Sequence, residues 1–164
     1  MSKKTFTIIC LIALIITGIY ADSDTTWHYD NDIGLYHVTY DTAIVTEEGT
    51  EFPTEEYILI NFCKIGTDTY ALFTFNEKFN LSDIGGITKV GYGDNLENLT
   101  DIFDVENSDV NIFNLSAKDS YYIYRDMISG TQKVFIFMND KNDSKFVLFN
   151  INCDRLYRYS SYLY

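Results

Sequence analysis

The chain has 164 residues, 46% of them hydrophobic and 16% aromatic, which excludes a disordered polymer and predicts one domain with a packed core. Its 24 acidic residues against 12 basic ones give a formal charge of −12, which repels phosphate backbones and anionic lipid and sets nucleic-acid binding aside. The same excess of acid would attract a basic partner.

The chain opens on Lys3 and Lys4, followed by a continuous apolar run from Phe6 to Ile16. Thr17-Gly18-Ile19-Tyr20-Ala21 then ends on a small residue. This is the three-part layout of a secretory signal peptide over residues 1–21, with cleavage after Ala21. The run is shorter than the roughly 20 residues a spanning helix needs, so a signal-anchored form is the weaker reading. The expected product is a single secreted β-rich domain, residues 22–164, with no stable membrane insertion after cleavage. It keeps Cys63 and Cys153, and an even count in an oxidising compartment predicts a disulfide between them. N-x-[ST] sequons make Asn80, Asn98, Asn114 and Asn142 candidate glycosylation sites. Asn142, in the polar stretch from Asn139 to Ser144, is the best placed. Asn114 stands in an apolar stretch and is the least suited.

In chain order, runs of β-branched and aromatic residues predict strands at 35–46, 57–64, 70–75 and 87–92. One short helix at most is expected, over 95–103, with Asp94 as its cap and Leu96, Leu99 and Phe103 on one face. Further strands are expected at 110–115, 121–127, 133–138, 146–151 and 156–163. In 57–63 the alternation puts Tyr57, Leu59, Asn61 and Cys63 on one face and Ile58, Ile60 and Phe62 on the other. Val134 to Met138 is apolar on both faces, which predicts a central strand covered on both sides. Hairpin-sized polar gaps complete the pattern of an all-β fold, an antiparallel β-sandwich. A small up-and-down or lipocalin-like barrel is the alternative. The run Ile112-Phe113-Asn114-Leu115, followed by Tyr121, Tyr122 and Tyr124, echoes Leu148-Phe149-Asn150-Ile151, followed by Leu156, Tyr157 and Tyr159. The echo resembles the strand pairs of hemopexin-type propeller blades. Two units do not close a propeller, which takes about four, so the reading is two similar hairpins in one sheet.

Motifs for chemistry are absent. No H-E-x-x-H, G-x-S-x-G, P-loop or Rossmann glycine pattern occurs, and no catalytic residue, cofactor or metal is expected. His37 and Asp41 have no nucleophile signature beside them. Asp30-Asn31-Asp32-Ile33-Gly34 lacks the ligands of a calcium loop and reads as a polar turn. Trp27 lacks the glycine two residues earlier that a lipocalin first strand would carry, since Thr25 stands there. The C-terminal segment is dense in tyrosine and arginine, the residue types that dominate protein-binding hot spots, and Tyr157, Arg158, Tyr159 and Tyr162 are its candidate partner-binding residues. The expected role is non-catalytic capture of an extracellular protein, as a host-interaction or immune-modulating factor would perform it. A lipocalin-like carrier of a small apolar ligand is the alternative, and a secreted hydrolase the third reading.

Overall fold

A computed structural model describes residues 27–46, 51–54, 56–76, 86–108, 111–139 and 142–163. The expected signal peptide, residues 1–21, and Asn80 lie outside these residues. Among the described residues twelve strands form two six-stranded antiparallel sheets that face each other as a β-sandwich. The first sheet contains β1 (His28–Asp30), β2 (Gly34–Thr39), β5 (Ile58–Ile65), β6 (Asp68–Phe75), β10 (Ile112–Asn114) and β9 (Asn107–Ser108), in the order β1-β2-β5-β6-β10-β9. The second contains β4 (Glu51–Pro53), β3 (Thr42–Thr46), β12 (Asn142–Asn152), β11 (Gln132–Asn139), β7 (Lys89–Gly93) and β8 (Leu99–Asp104), in the order β4-β3-β12-β11-β7-β8. The sheets do not close into a barrel.

The expected 35–46 strand is two strands, because the chain changes sheets at Tyr40-Asp41. Thr39 Oγ1 donates to Asn150 O at 2.8 Å and Asn150 N donates to Asp41 O at 3.0 Å, so β12 clamps this corner. Alternation then fills the interior from both sides. Ile58, Ile60, Phe62, Phe73 and Phe75 from one sheet meet Tyr92, Phe135, Phe137 and Phe149 from the other in a single cluster. Phe135 and Phe149 stack with ring centres 5.0 Å apart, and Phe73 packs on both. These rings occupy the space a carrier of apolar ligands would keep open. As predicted, β11 is central, between β12 and β7, with Phe135 and Phe137 facing in and Val134 in a second apolar cluster outside.

Three segments depart from the sequence reading. The expected 121–127 strand belongs to a helix, α1 (Ala117–Ser129). Ser116 Oγ caps it, accepting from Asp119 N at 3.1 Å and donating to the Asp119 carboxylate at 2.6 Å. Its buried residues Ser120, Ile123, Tyr124 and Met127 recur at helical spacing. The expected 95–103 helix is a short 3₁₀ turn, Leu96–Asn98, capped by Asn95, followed by β8. Leu99 and Phe103 share a face in either conformation, and pairing with β7 decides for the strand. The expected last strand is a 3₁₀ helix, Leu156–Leu163. The echo therefore does not form two hairpins in one sheet: β10 and β12 belong to different sheets, and each is followed by a helix. Those helices pack together, with Tyr124 Oη donating to Tyr159 O at 2.6 Å.

Cys63 and Cys153 are free and buried, and the predicted disulfide is not formed. Strand parity separates them. Cys63 packs with Tyr70, Leu72 and Ile112 on the outer face of the first sheet, while Cys153 belongs to the interior cluster. Burial pushes each thiol up to about 12.

Candidate functional site

The C-terminal 3₁₀ helix builds the most distinctive surface. Three residues per turn bring Leu156, Tyr159 and Tyr162 to one side. Leu156 is fully buried, and the two tyrosines are partly buried against the core. Tyr159 Oη donates to Trp27 O at 3.2 Å, and Trp27 Nε1 donates to Asn152 O at 2.9 Å. The start of the described chain is thus fastened to its end. Across the helix lies β1, whose Tyr29 meets Tyr162 edge-on at 5.4 Å and stacks on Tyr159 at 6.4 Å. Lys64, at the end of β5, holds its ammonium 5.4 Å from the centre of the Tyr162 ring.

These residues enclose a groove of about 430 Å³ lined by Tyr29, Lys64, Arg158, Tyr159, Ser161 and Tyr162. Arg158 and Tyr159 also border a smaller niche of about 140 Å³ with Trp27 and Arg155. Burial pushes the Tyr162 hydroxyl up, so it stays a neutral donor through the physiological range. Of the four residues expected to bind a partner, Arg158, Tyr159 and Tyr162 line the groove. Tyr157 does not line it and is 60% exposed. Tyr29, Lys64 and Arg155 were not expected. Tyr29 and Lys64 join through tertiary pairing that leaves no local trace, whereas the three-residue spacing of Leu156, Tyr159 and Tyr162 was a visible sign of the helix that gathers them.

A second, polar cleft of about 440 Å³ is lined by His37, Thr39, Asp41, Thr131, Gln132, Asn150, Asn152 and Asp154. His37 is buried and stacks on Trp27 at 5.1 Å. The fold brings His37 and Asp41 to one cleft, but no serine lines it, and the Thr39 hydroxyl is engaged with Asn150 O and Asp41 N. His28 stands elsewhere, stacked on Tyr36 at 5.5 Å. The Asp30–Gly34 segment is the β1–β2 turn, its Asp30 carboxylate accepting from Asp32 N at 2.8 Å and Ile33 N at 3.1 Å. Among the described residues no group of three His, Cys, Asp or Glu side chains is placed to hold a metal ion.

The sequons differ in setting. Asn98 is exposed at the end of its 3₁₀ turn. Asn114 is 0% exposed, its Nδ2 donating to Leu115 O, so a glycan does not fit there in the folded chain. Asn142 opens β12 rather than lying within a polar turn.

No family model matches the chain, and no curated protein or solved structure does either. The functional reading therefore rests on the two clefts and their chemistry.

Proposed function

We propose that this chain is a secreted, non-catalytic protein that captures an extracellular protein in the groove beside the C-terminal 3₁₀ helix. One observation carries the reading: three tyrosines and two cations from three separate elements converge on one concave surface of about 430 Å³. Tyrosine supplies large contact area at low entropic cost, and arginine supplies directional donors, which is the composition of binding hot spots. Tyr157, exposed on the same helix, extends the aromatic surface beyond the groove. The acidic charge of the rest of the chain would steer an overall basic partner toward it.

The test is capture of proteins from serum and from cell surfaces by the secreted chain, run beside Tyr29→Ser. Tyr29 is 47% exposed, so its loss strips the groove with little effect on the core. A partner held by wild type and released by the variant supports the reading. A partner held equally by both refutes the groove. Native mass spectrometry addresses the alternative carrier, since an adduct of a few hundred daltons absent from the denatured spectrum would mark a bound small ligand. The ring-filled interior speaks against that outcome.

A further inference from the structure

Arg155 is the one non-glycine residue among those described with a positive φ, at 66°. This left-handed conformation is unfavourable for a residue with a Cβ. The turn around it is tightly made: Asp154 N donates to Asn152 Oδ1 at 2.7 Å, and Arg158 N donates to Arg155 O at 3.0 Å. Residues three apart in a 3₁₀ turn lie side by side. Arg155 and Arg158 accordingly border the same niche of about 140 Å³, against Trp27 and Tyr159. Among the described residues neither guanidinium meets a carboxylate, although the chain carries 24 acids and 12 bases. Two arginines one 3₁₀ turn apart, the first on a strained backbone and neither meeting a carboxylate among the described residues, are equipped for an anion brought by something else. Arg158 and Tyr159 also line the larger groove, so niche and groove share a wall.

We infer that the Arg155–Arg158 niche receives a carboxylate of an acidic peptide segment whose neighbouring side chains lie in the tyrosine groove. The inference rests on the reading that this groove binds protein. A chain of net charge −12 repels a polyanion such as nucleic acid or a sulfated polysaccharide at long range, while two local guanidiniums match one or two carboxylates at short range. Tyr29, Tyr159 and Tyr162 offer faces for peptide side chains, and the Ser161 hydroxyl can bond a peptide backbone.

The experiment measures fluorescence anisotropy of a labelled peptide carrying two adjacent glutamates among tyrosine and serine with the full secreted chain. The control peptide has glutamine for glutamate. The acidic peptide should bind at least about tenfold more tightly, a margin that shrinks with added salt. Arg158→Gln and Arg155→Gly should each remove most of the margin. Arg155→Gly should unfold no earlier than wild type, because glycine accepts the positive φ without strain; a purely structural Arg155 would give a less stable variant with its margin intact, and that result overturns the inference. Equal binding of both peptides, lost in Tyr29→Ser, leaves the groove reading standing and removes the acidic partner. Binding of neither peptide overturns the inference and leaves the groove to the serum and cell-surface capture. A heparin oligosaccharide that outcompetes the acidic peptide and loses its hold in Arg158→Gln assigns the niche to sulfated sugar instead.

Discussion

Gly34 is where the fold and the groove meet, and Gly34→Ala tests both. Its φ is +100°, where a side-chain-bearing residue costs about 1–2 kcal/mol. A Cβ there would lie 2.5 Å from Phe62 O, 3.2 Å from Cys63 Cα and 2.8 Å from Tyr162 Oη. Phe62 and Cys63 belong to β5, which is held between β2 and β6 and cannot retreat cheaply, so overpacking adds about 1–3 kcal/mol. Lower entropy of the unfolded chain returns about 0.4–1 kcal/mol. The expected loss is about 3 kcal/mol, or a fall in Tm of roughly 10 °C for a domain of this size. Gly66→Ala is the control. It shares a positive φ of 67° but has nothing within 4 Å of the added carbon, so it should lose at most about 1 kcal/mol. Urea unfolding at matched m-values gives both numbers. If the two variants lose the same amount, contact with the Phe62 carbonyl is not what demands glycine, and the reasoning fails. Displacement of Tyr162 should also weaken any ligand of the groove in Gly34→Ala and leave it unchanged in Gly66→Ala.

The native chain should show two thiols on non-reducing mass analysis, both slow to react with iodoacetamide and both fast once unfolded, because burial raises each thiol to about 12; a Cys63–Cys153 bridge would refute the placement of the two on opposite faces. The ion-pair network at the end of α1 has a pH signature. Lys133 Nζ lies 2.7 Å from the Asp94 carboxylate and 2.5 Å from that of Asp126, which also accepts from Tyr92 Oη at 2.7 Å. Burial opposes the charge on Asp126, but the hydrogen bonds from Lys133 and Tyr92 outweigh it and hold the carboxyl below its ordinary value. Burial likewise opposes the Lys133 charge, and its bonds to Asp126 and Asp94 outweigh it and raise the ammonium above its own. The stabilisation is therefore complete above the unfolded carboxyl value near pH 4 and below the unfolded ammonium value near pH 10.5. Asp126→Asn should cost stability at pH 7 and much less as pH falls below about 4, read by urea unfolding across that range; a gap that does not narrow would refute it.

The sandwich was legible because alternation is strong wherever both sheets bury a face. In Tyr57 to Cys63 the sequence assigned each side chain to its face correctly, and that assignment already argued against the bridge. Cys63 was on the face opposite Ile58, Ile60 and Phe62, while Cys153 followed a strand with an interior register. Counting cysteines carried the expectation where parity should have limited it. The helices were missed for a different reason. Tyrosine and isoleucine favour strands, and that preference hid the cap at Ser116 and the spacing of Ile123, Tyr124 and Met127. Part of the groove was visible as a cluster of tyrosine and arginine. Lys64 and Tyr29 could not be seen, because the pairing of β1, β2 and β5 that brings them there is a tertiary fact.

The order of strands has a consequence for biosynthesis. β3 pairs with β12, Thr46 against Lys145, across about 100 residues of sequence. At translation rates of about 5–20 residues per second, the ribosome takes at least about 5 s to supply that partner. During this interval Ala43, Ile44 and Val45 lack the neighbour that completes their sheet. Until β12 arrives, that unfinished edge is open to pairing with another chain, and the interval lengthens with every slowing of synthesis.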